Sequence, residues 1–144
     1  MSFTVYSWTD TTAVLYHPSF GRADLTASGL GKLAISRSGD LSSHTQTADG
    51  SVVVNRLRSE NGTVTLTVTQ NSAADEFLRR WAAYLRSLSD SSRFAQSALT
   101  VTDNAGRFTV SLTGVTPQKI PDRTYDKTST EVVWVLLAAS ITEQ

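Results

Sequence analysis

Between Asn61 and Arg80 the chain reads N-G-T-V-T-L-T-V-T-Q-N-S-A-A-D-E-F-L-R-R, and just after Gln70 its hydrophobic period changes from two residues to that of a helix. Before the change, threonine alternates with Val64, Leu66 and Val68. Strand geometry sends alternate side chains to opposite faces, so one face is all apolar and the other all threonine. After it, Ala74, Phe77, Leu78, Trp81, Ala82, Leu85 and Leu88 recur at helical spacing and form one apolar stripe. Ser72 with Asp75 makes a capping-box-like start. Asp75 with Arg79 and Glu76 with Arg80 are i,i+4 pairs in the favourable order, acid first. The pattern predicts one helix, about residues 72–89, lying on a sheet that buries a single face of its strand.

Other strands follow from the same reasoning. Residues 13–16 and 30–36 read as short strands, with Gly29 and Gly31 as turn material. Asn61-Gly62 is a type I′ turn signal, because both central residues of that turn need positive φ. It predicts a hairpin pairing residues 51–58 with 63–70. A second hairpin is predicted where Leu99 and Val101 alternate with Thr100 and Thr102. D-N-A-G then turns the chain, and Phe108, Val110 and Leu112 alternate with Thr109, Ser111 and Thr113. The polar stretch 36–50 reads as a long loop or a poorly paired hairpin arm, ending at the turn signal Asp49-Gly50. Residues 114–130, with Pro117 and Pro121, read as an extended connection. Residues 132–139 are apolar at consecutive positions, which predicts a strand covered on both faces. One cover is the core, and the other calls for a partner subunit.

Composition narrows the function. The 144 residues suit one domain with a real core, and 40% hydrophobic with 18% charged residues is a folded composition. A formal net charge of zero gives no overall field toward nucleic acid or an anionic membrane, and it points toward self-association. With no cysteine there is no disulfide framework and no thiolate metal site. The start, M-S-F-T-V-Y-S-W-T-D, lacks the basic and apolar regions of a secretory leader. The 132–139 run falls short of the ~20 residues of a bilayer-spanning helix. The expectation is a protein made in a cytoplasm, soluble at first, with no membrane insertion.

Candidate chemistry is thin. Ser43, His44 and Asp49 have the residue types of a catalytic triad, but one polar loop offers nothing to orient the imidazole. His17 and His44 are the only histidines, too few for a metal site with no supporting motif. Gly29-Leu30-Gly31 lacks the third glycine and helix start of a dinucleotide loop. Arg79, Arg80 and Arg86 resemble a phosphate-contacting patch less than an ion-paired helix face. Asp122 and Asp126, flanking Tyr125, read as solvated. Trp8, Trp81 and Trp134 are too dispersed for a stacking platform and read as core or interface anchors. No catalytic, metal or cofactor role is expected.

The segment T-A-D-G-S-V-V-V-N-R-L-R-S-E-N-G-T-V-T-L-T-V-T-Q-N-S-A-A-D-E-F-L resembles the central signature of tail tube proteins of contractile-tailed bacteriophages. The Asp-Gly turn, the basic strand, the G-T-V-T strand ending in Gln and the capped helix carry the likeness. A Thr/Val hairpin, the connection V-T-P-Q-K-I-P-D-R-T-Y-D-K and a final Trp-bearing strand follow in the family's order. The likeness spans about residue 33 to the end of the chain, and its individual motifs are degenerate.

The resemblance implies an antiparallel β-sandwich or barrel-like sheet with one flanking helix. It implies hexameric rings whose inner sheets merge, rings stacked into a tube inside a sheath, and DNA as transiting cargo. It also implies sheath, baseplate hub and tail terminator proteins as partners, and a place in the virion tail. Related tubes serve phage-derived particles that carry no DNA, which is an alternative reading. A β-sandwich binding module of a baseplate is another, although it would want an exposed aromatic platform. On the tube reading Thr63, Thr65, Thr67 and Thr69 are expected to line the lumen. A neutral threonine wall suits a channel through which DNA slides, since it offers phosphate no clustered cations. His44, Asp49, Gly50, Arg56, Arg58 and Trp134 are expected at contacts between subunits. The basic pair Arg56 and Arg58 departs from a neutral wall and is therefore expected to face a neighbour.

Overall fold

The computed structural model describes residues 7–104, 108–128 and 130–143. Residues 1–6, the tip of the second predicted hairpin at 105–107, Ser129 and Gln144 lie outside the described residues. Described elements are β1 (Thr11–His17), β2 (Gly21–Asp24), β3 (Leu30–Arg37), β4 (Ser42–Gln46) and β5 (Val52–Arg56). They continue with β6 (Gly62–Thr69), α1 (Ala73–Ser87), β7 (Ser97–Asp103), β8 (Phe108–Pro117), β9 (Glu131–Ala138) and β10 (Ser140–Glu143). The fold is mainly antiparallel β, sandwich-like, with one flanking helix, as the family resemblance implies.

The main sheet runs β2-β1-β7-β8-β9-β6-β3, with β10 also on β8. It folds over itself at β8. Thr113 pairs with Ala98 and Val115 with Ser97, so Gly114 is the extra residue of a bulge. Gly114 has φ +64°, a left-handed conformation that glycine adopts without strain. A Cβ there would sit 2.6 Å from the Ala139 methyl group. Past the bulge, Thr116 and Pro117 pair with Leu137 and Leu136 of β9, in the second layer. Beyond Ala139 the chain runs on as β10, antiparallel along the earlier part of β8. The predicted connection from 114 onward therefore begins later, because strand β8 continues through the bulge to Pro117.

Between the layers, Ala13, Leu15, Leu99 and Leu112 meet Val64, Leu66, Trp134 and Leu136 in one buried core. The helix closes it and touches both layers: the Trp81 indole donates to Ser97 Oγ on β7 at 2.8 Å, and Ala74, Leu78, Ala82 and Leu85 are buried. Ser72 caps α1 by accepting from the Asp75 N–H at 3.3 Å. Asn71 makes the reversal into the helix at φ +64°, a conformation asparagine tolerates better than most residues. His17 is buried against Tyr84. Its Nδ1 accepts from the Ser19 N–H at 3.1 Å, which leaves Nε2 to donate to the Arg93 carbonyl at 2.9 Å. It is a structural histidine.

One predicted hairpin does not form. β5 pairs with β4 instead of β6, and β6 lies between β3 and β9. Asn61-Gly62 is not a turn, and Gly62 has another reason to be glycine. A side chain there would collide with Ile141 and with the Ser36 carbonyl. The strands of the second predicted hairpin do pair, as β7 and β8, with Leu99 opposite Leu112 and Thr102 opposite Thr109.

Candidate functional site

Two surfaces stay unsatisfied in the isolated chain. The first is the arm formed by β4 and β5. Its base is closed by the Ser38 N–H donating to the Asn61 carbonyl at 3.1 Å and the Leu57 N–H to Leu41 at 2.9 Å. Its tip is the Asp49-Gly50 turn, with Gly50 at φ +88°. The Thr47 hydroxyl and the Ser51 N–H donate to the Asp49 carboxylate and hold its pKa down at about 2. Asn55 donates to Ser43 and Thr45, its neighbours on one face of the arm. By strand alternation His44, Val52, Val54 and Arg56 share the other face. None of the arm's strand residues is buried, and Val52, Val53 and Val54 are 55%, 49% and 65% exposed. An isolated two-stranded ribbon is marginal in water, and no other part of the described chain covers these valines.

The second surface is the outer face of β3, β6 and β9. Thr63, Thr65 and Thr67 are half-buried there and Thr69 is exposed, opposite Leu137, Val135, Val133 and Glu131 in that order. Ser36, Ala34 and Lys32 flank them on β3. The threonine face is not wholly hydrophilic, because Val133 and Leu137 of the adjoining β9 are exposed on it. The threonines of β7 and β8 do not extend this face. They lie on the outside of the opposite layer, because both layers turn their apolar residues toward one core. Strand β9 is buried on alternate residues only, which leaves its second face without a cover in this chain.

Trp134 is fully buried in its own chain. Its indole N–H donates to Asp75 Oδ1 at 3.2 Å, so the side chain predicted at a subunit contact faces its own core, and the alternating Val133 and Val135 lie on the outer face of β9. Asp75 is the least expected residue of the structure. It has no exposed surface, and both its oxygens accept from Arg123, each at 2.8 Å. It also accepts from the Asn71 N–H at 3.0 Å, while Arg79 stands off at 3.9 Å. Burial alone would raise its pKa. The Arg123 fork, the Asn71 N–H and the Trp134 indole outweigh that and hold it below the ordinary carboxylate range. The helical pattern contained a clue, since Asp75 lies three residues before Leu78 and seven before Ala82, on the apolar stripe.

Arg56 and Arg58 are exposed at the base of the arm, beside Leu41, Leu57 and Glu60. Arg80 pairs with Glu76 at 4.0 Å, a loose solvent-exposed contact. Ser43, His44 and Asp49 lie along the exposed arm with no triad contact among them. Among the described residues no cluster of His, Asp or Glu could hold a metal ion. No helix among the described residues is long and apolar enough to cross a membrane.

Comparison with known proteins bears on these surfaces. Curated proteins give no match. Among solved structures, the sheath/tube terminator of an extracellular contractile injection system, PVC, in its extended state superposes with TM-score 0.64 at 12% identity, covering 99% of this chain and 98% of that one. The PVC sheath-tube complex in the extended state gives 0.59 at 12% identity, covering 93% and 87%. The anti-feeding prophage baseplate gives 0.63 at 10%, covering 100% and 97%. At such identities the likeness is one of fold. Residues 3–144 match the family described as Bacteriophage PhiTE tail tube protein. With nearly its whole length matched and its fold shared with contractile injection particles, the chain belongs to that tail tube family, whose members are structural and not catalytic.

Proposed function

We propose that the chain is the tube subunit of a contractile injection machine, assembling into hexameric rings that stack into a tube. The observation that carries this reading is the pair of unsatisfied surfaces. A merged ring sheet would cover strand edges and the open face of β9, as closure does in barrels. The arm, with His44, Val52, Val54 and Arg56 on one face, Asp49 and Gly50 at its tip and Arg58 at its base, contacts a neighbouring subunit or ring. Thr63, Thr65, Thr67 and Thr69 line the lumen. Sheath, terminator and baseplate components are the other partners. Support comes from the family and from the sheath-tube, terminator and baseplate particles that share the fold.

The lumen carries DNA if the particle is a phage tail, as the family description favours. A DNA-free injection particle is the alternative reading, and it has the stronger support. It is favoured by the fold likeness to PVC and the anti-feeding prophage and by the apolar Val133 and Leu137 beside the threonines. Negative-stain microscopy of the concentrated protein tests assembly. Six-fold rings or tubes are expected, and a protein that stays monomeric at high concentration would sink the proposal. Nuclease-protected nucleic acid in purified particles separates the two cargo readings.

A further inference from the structure

Tyr125 is the most exposed large hydrophobic side chain among the described residues, at 78%. It is not on a free tether. Two residues earlier, Arg123 is locked onto Asp75 at the first turn of α1, and Thr130 is tied to Gln70 at 2.7 Å. The ring is thus held out on an anchored loop, where seating it in a partner costs little conformational entropy. Asp126, exposed, follows it directly. Near the opposite end of α1 lies an apolar groove of about 380 Å³, lined by Ala82, Leu85, Phe94 and Ile120 and by the cations Arg86 and Lys119. Arg86 has no ion pair among the described residues, and Lys119 reaches only the fully exposed Asp122, at 4.0 Å. From Asp75 to Arg86 the helix rises about 16 Å at 1.5 Å per residue. The anchored tyrosine is thereby kept away from the groove of its own chain.

A protruding aromatic ring next to a carboxylate, and an apolar groove bearing two cations, are complementary in shape and charge. We propose that Tyr125 and Asp126 of one copy dock in this groove of the next copy, the ring on the apolar floor and the carboxylate against Arg86 and Lys119. Such a contact joins two different patches, so it repeats head to tail until the rotation closes a ring. Lys127, the next residue, is the like charge and stays on the solvent side. The proposal rests on the tube-subunit reading and adds to it the residues of one contact between copies.

The chain contains no cysteine, which makes crosslinking free of background. Full-length Tyr125→Cys and Ile120→Cys variants, mixed and oxidised, are expected to give several-fold more disulfide-linked dimer than either variant alone. Arg86→Glu and Asp126→Arg should each keep the circular dichroism and melting of the parent and yet shift sedimentation to smaller species. The two changes combined should restore assembly. Equal crosslinking within a single variant, or no crosslink in the mixture while the parent forms rings, overturns this contact and leaves the tube reading standing. A parent protein that never leaves the monomer overturns both.

Discussion

Both guanidinium Nη atoms of Arg123 lie 2.8 Å from the carboxylate oxygens of Asp75, a side chain with no exposed surface. This fork ties the irregular connection after β8 to the helix, and the Trp134 indole ties the same carboxylate to β9. Removing one partner of a buried pair strands the other charge, at a cost of about 3–5 kcal/mol. Arg123→Ala and Asp75→Ala are each expected to fall in that range by urea unfolding, followed through the buried Trp81 and Trp134. The double replacement Asp75→Leu with Arg123→Met should lie closer to the parent than either single change. Additive losses would show that the pair does not act as a unit.

The same carboxylate sets a pH dependence. Its pKa is lowered in the folded chain, so its contribution is complete above the unfolded carboxylate value of about 3.9 and is lost as pH falls through the folded value. The urea midpoint should therefore hold from neutrality to about pH 5 and fall steepest below about pH 4. In Asp75→Asn the acid-side fall should be shallower, from a lower plateau. Matching slopes in the two proteins would assign the acid transition to other carboxylates.

Gly114 combines a left-handed φ with a close approach to Ala139. Gly114→Ala should cost about 1–3 kcal/mol from backbone strain alone, before the methyl clash is counted. Ala139→Gly in the same chain should recover the steric part and leave the strain. A thermal melt of both variants separates the two contributions.

The arm adds no residue to the core, and Ser38 and Asn61 meet at its base. Replacing residues 40–58 by a short Gly-Ser linker should leave the melting temperature nearly unchanged while abolishing tubes in negative stain. Deleting only 38–48 should likewise stop stacking, although it leaves β5 without its partner. Val54→Ser should weaken assembly and leave folding intact, since the side chain is 65% exposed in the single chain. Tubes that form normally from the linker variant would show that the arm makes no essential contact.

Lumen orientation can be read with thiol chemistry. In assembled Thr65→Cys tubes, a small maleimide should react and a maleimide carried on a globular protein should be excluded from the wall. Equal reactivity toward both would place that threonine on the outside of the tube.

Much of the architecture was legible because it is local. The Ser72 cap, the stripe from Ala74 to Leu85 and the alternation of Leu99 to Leu112 are periodic patterns that neighbouring residues impose. The fully buried Val64, Leu66 and Val68 were equally plain. What failed depends on partners far along the chain. Gly62 resembled a turn residue because its requirement for a missing side chain comes from Ile141 and Ser36. Asp75 resembled the surface partner of Arg79 because Arg123 is remote in sequence and no local signal links them. The arm was ambiguous for another reason: with nothing buried, its strands carry no burial alternation to read. Strands β2 and β10, four residues each, were too short to announce themselves.

The bulge at Gly114 also has a mechanical consequence. Because β8 runs unbroken from one layer into the other, the two layers share a covalent backbone as well as a packed core. A push applied to one layer passes to the other along peptide bonds, with β9 and β10 repeating the link at Ala139. Sliding the layers past each other would first require tearing strand pairing at that crossing. The fold therefore resists shear where a sandwich joined only by side chains would yield.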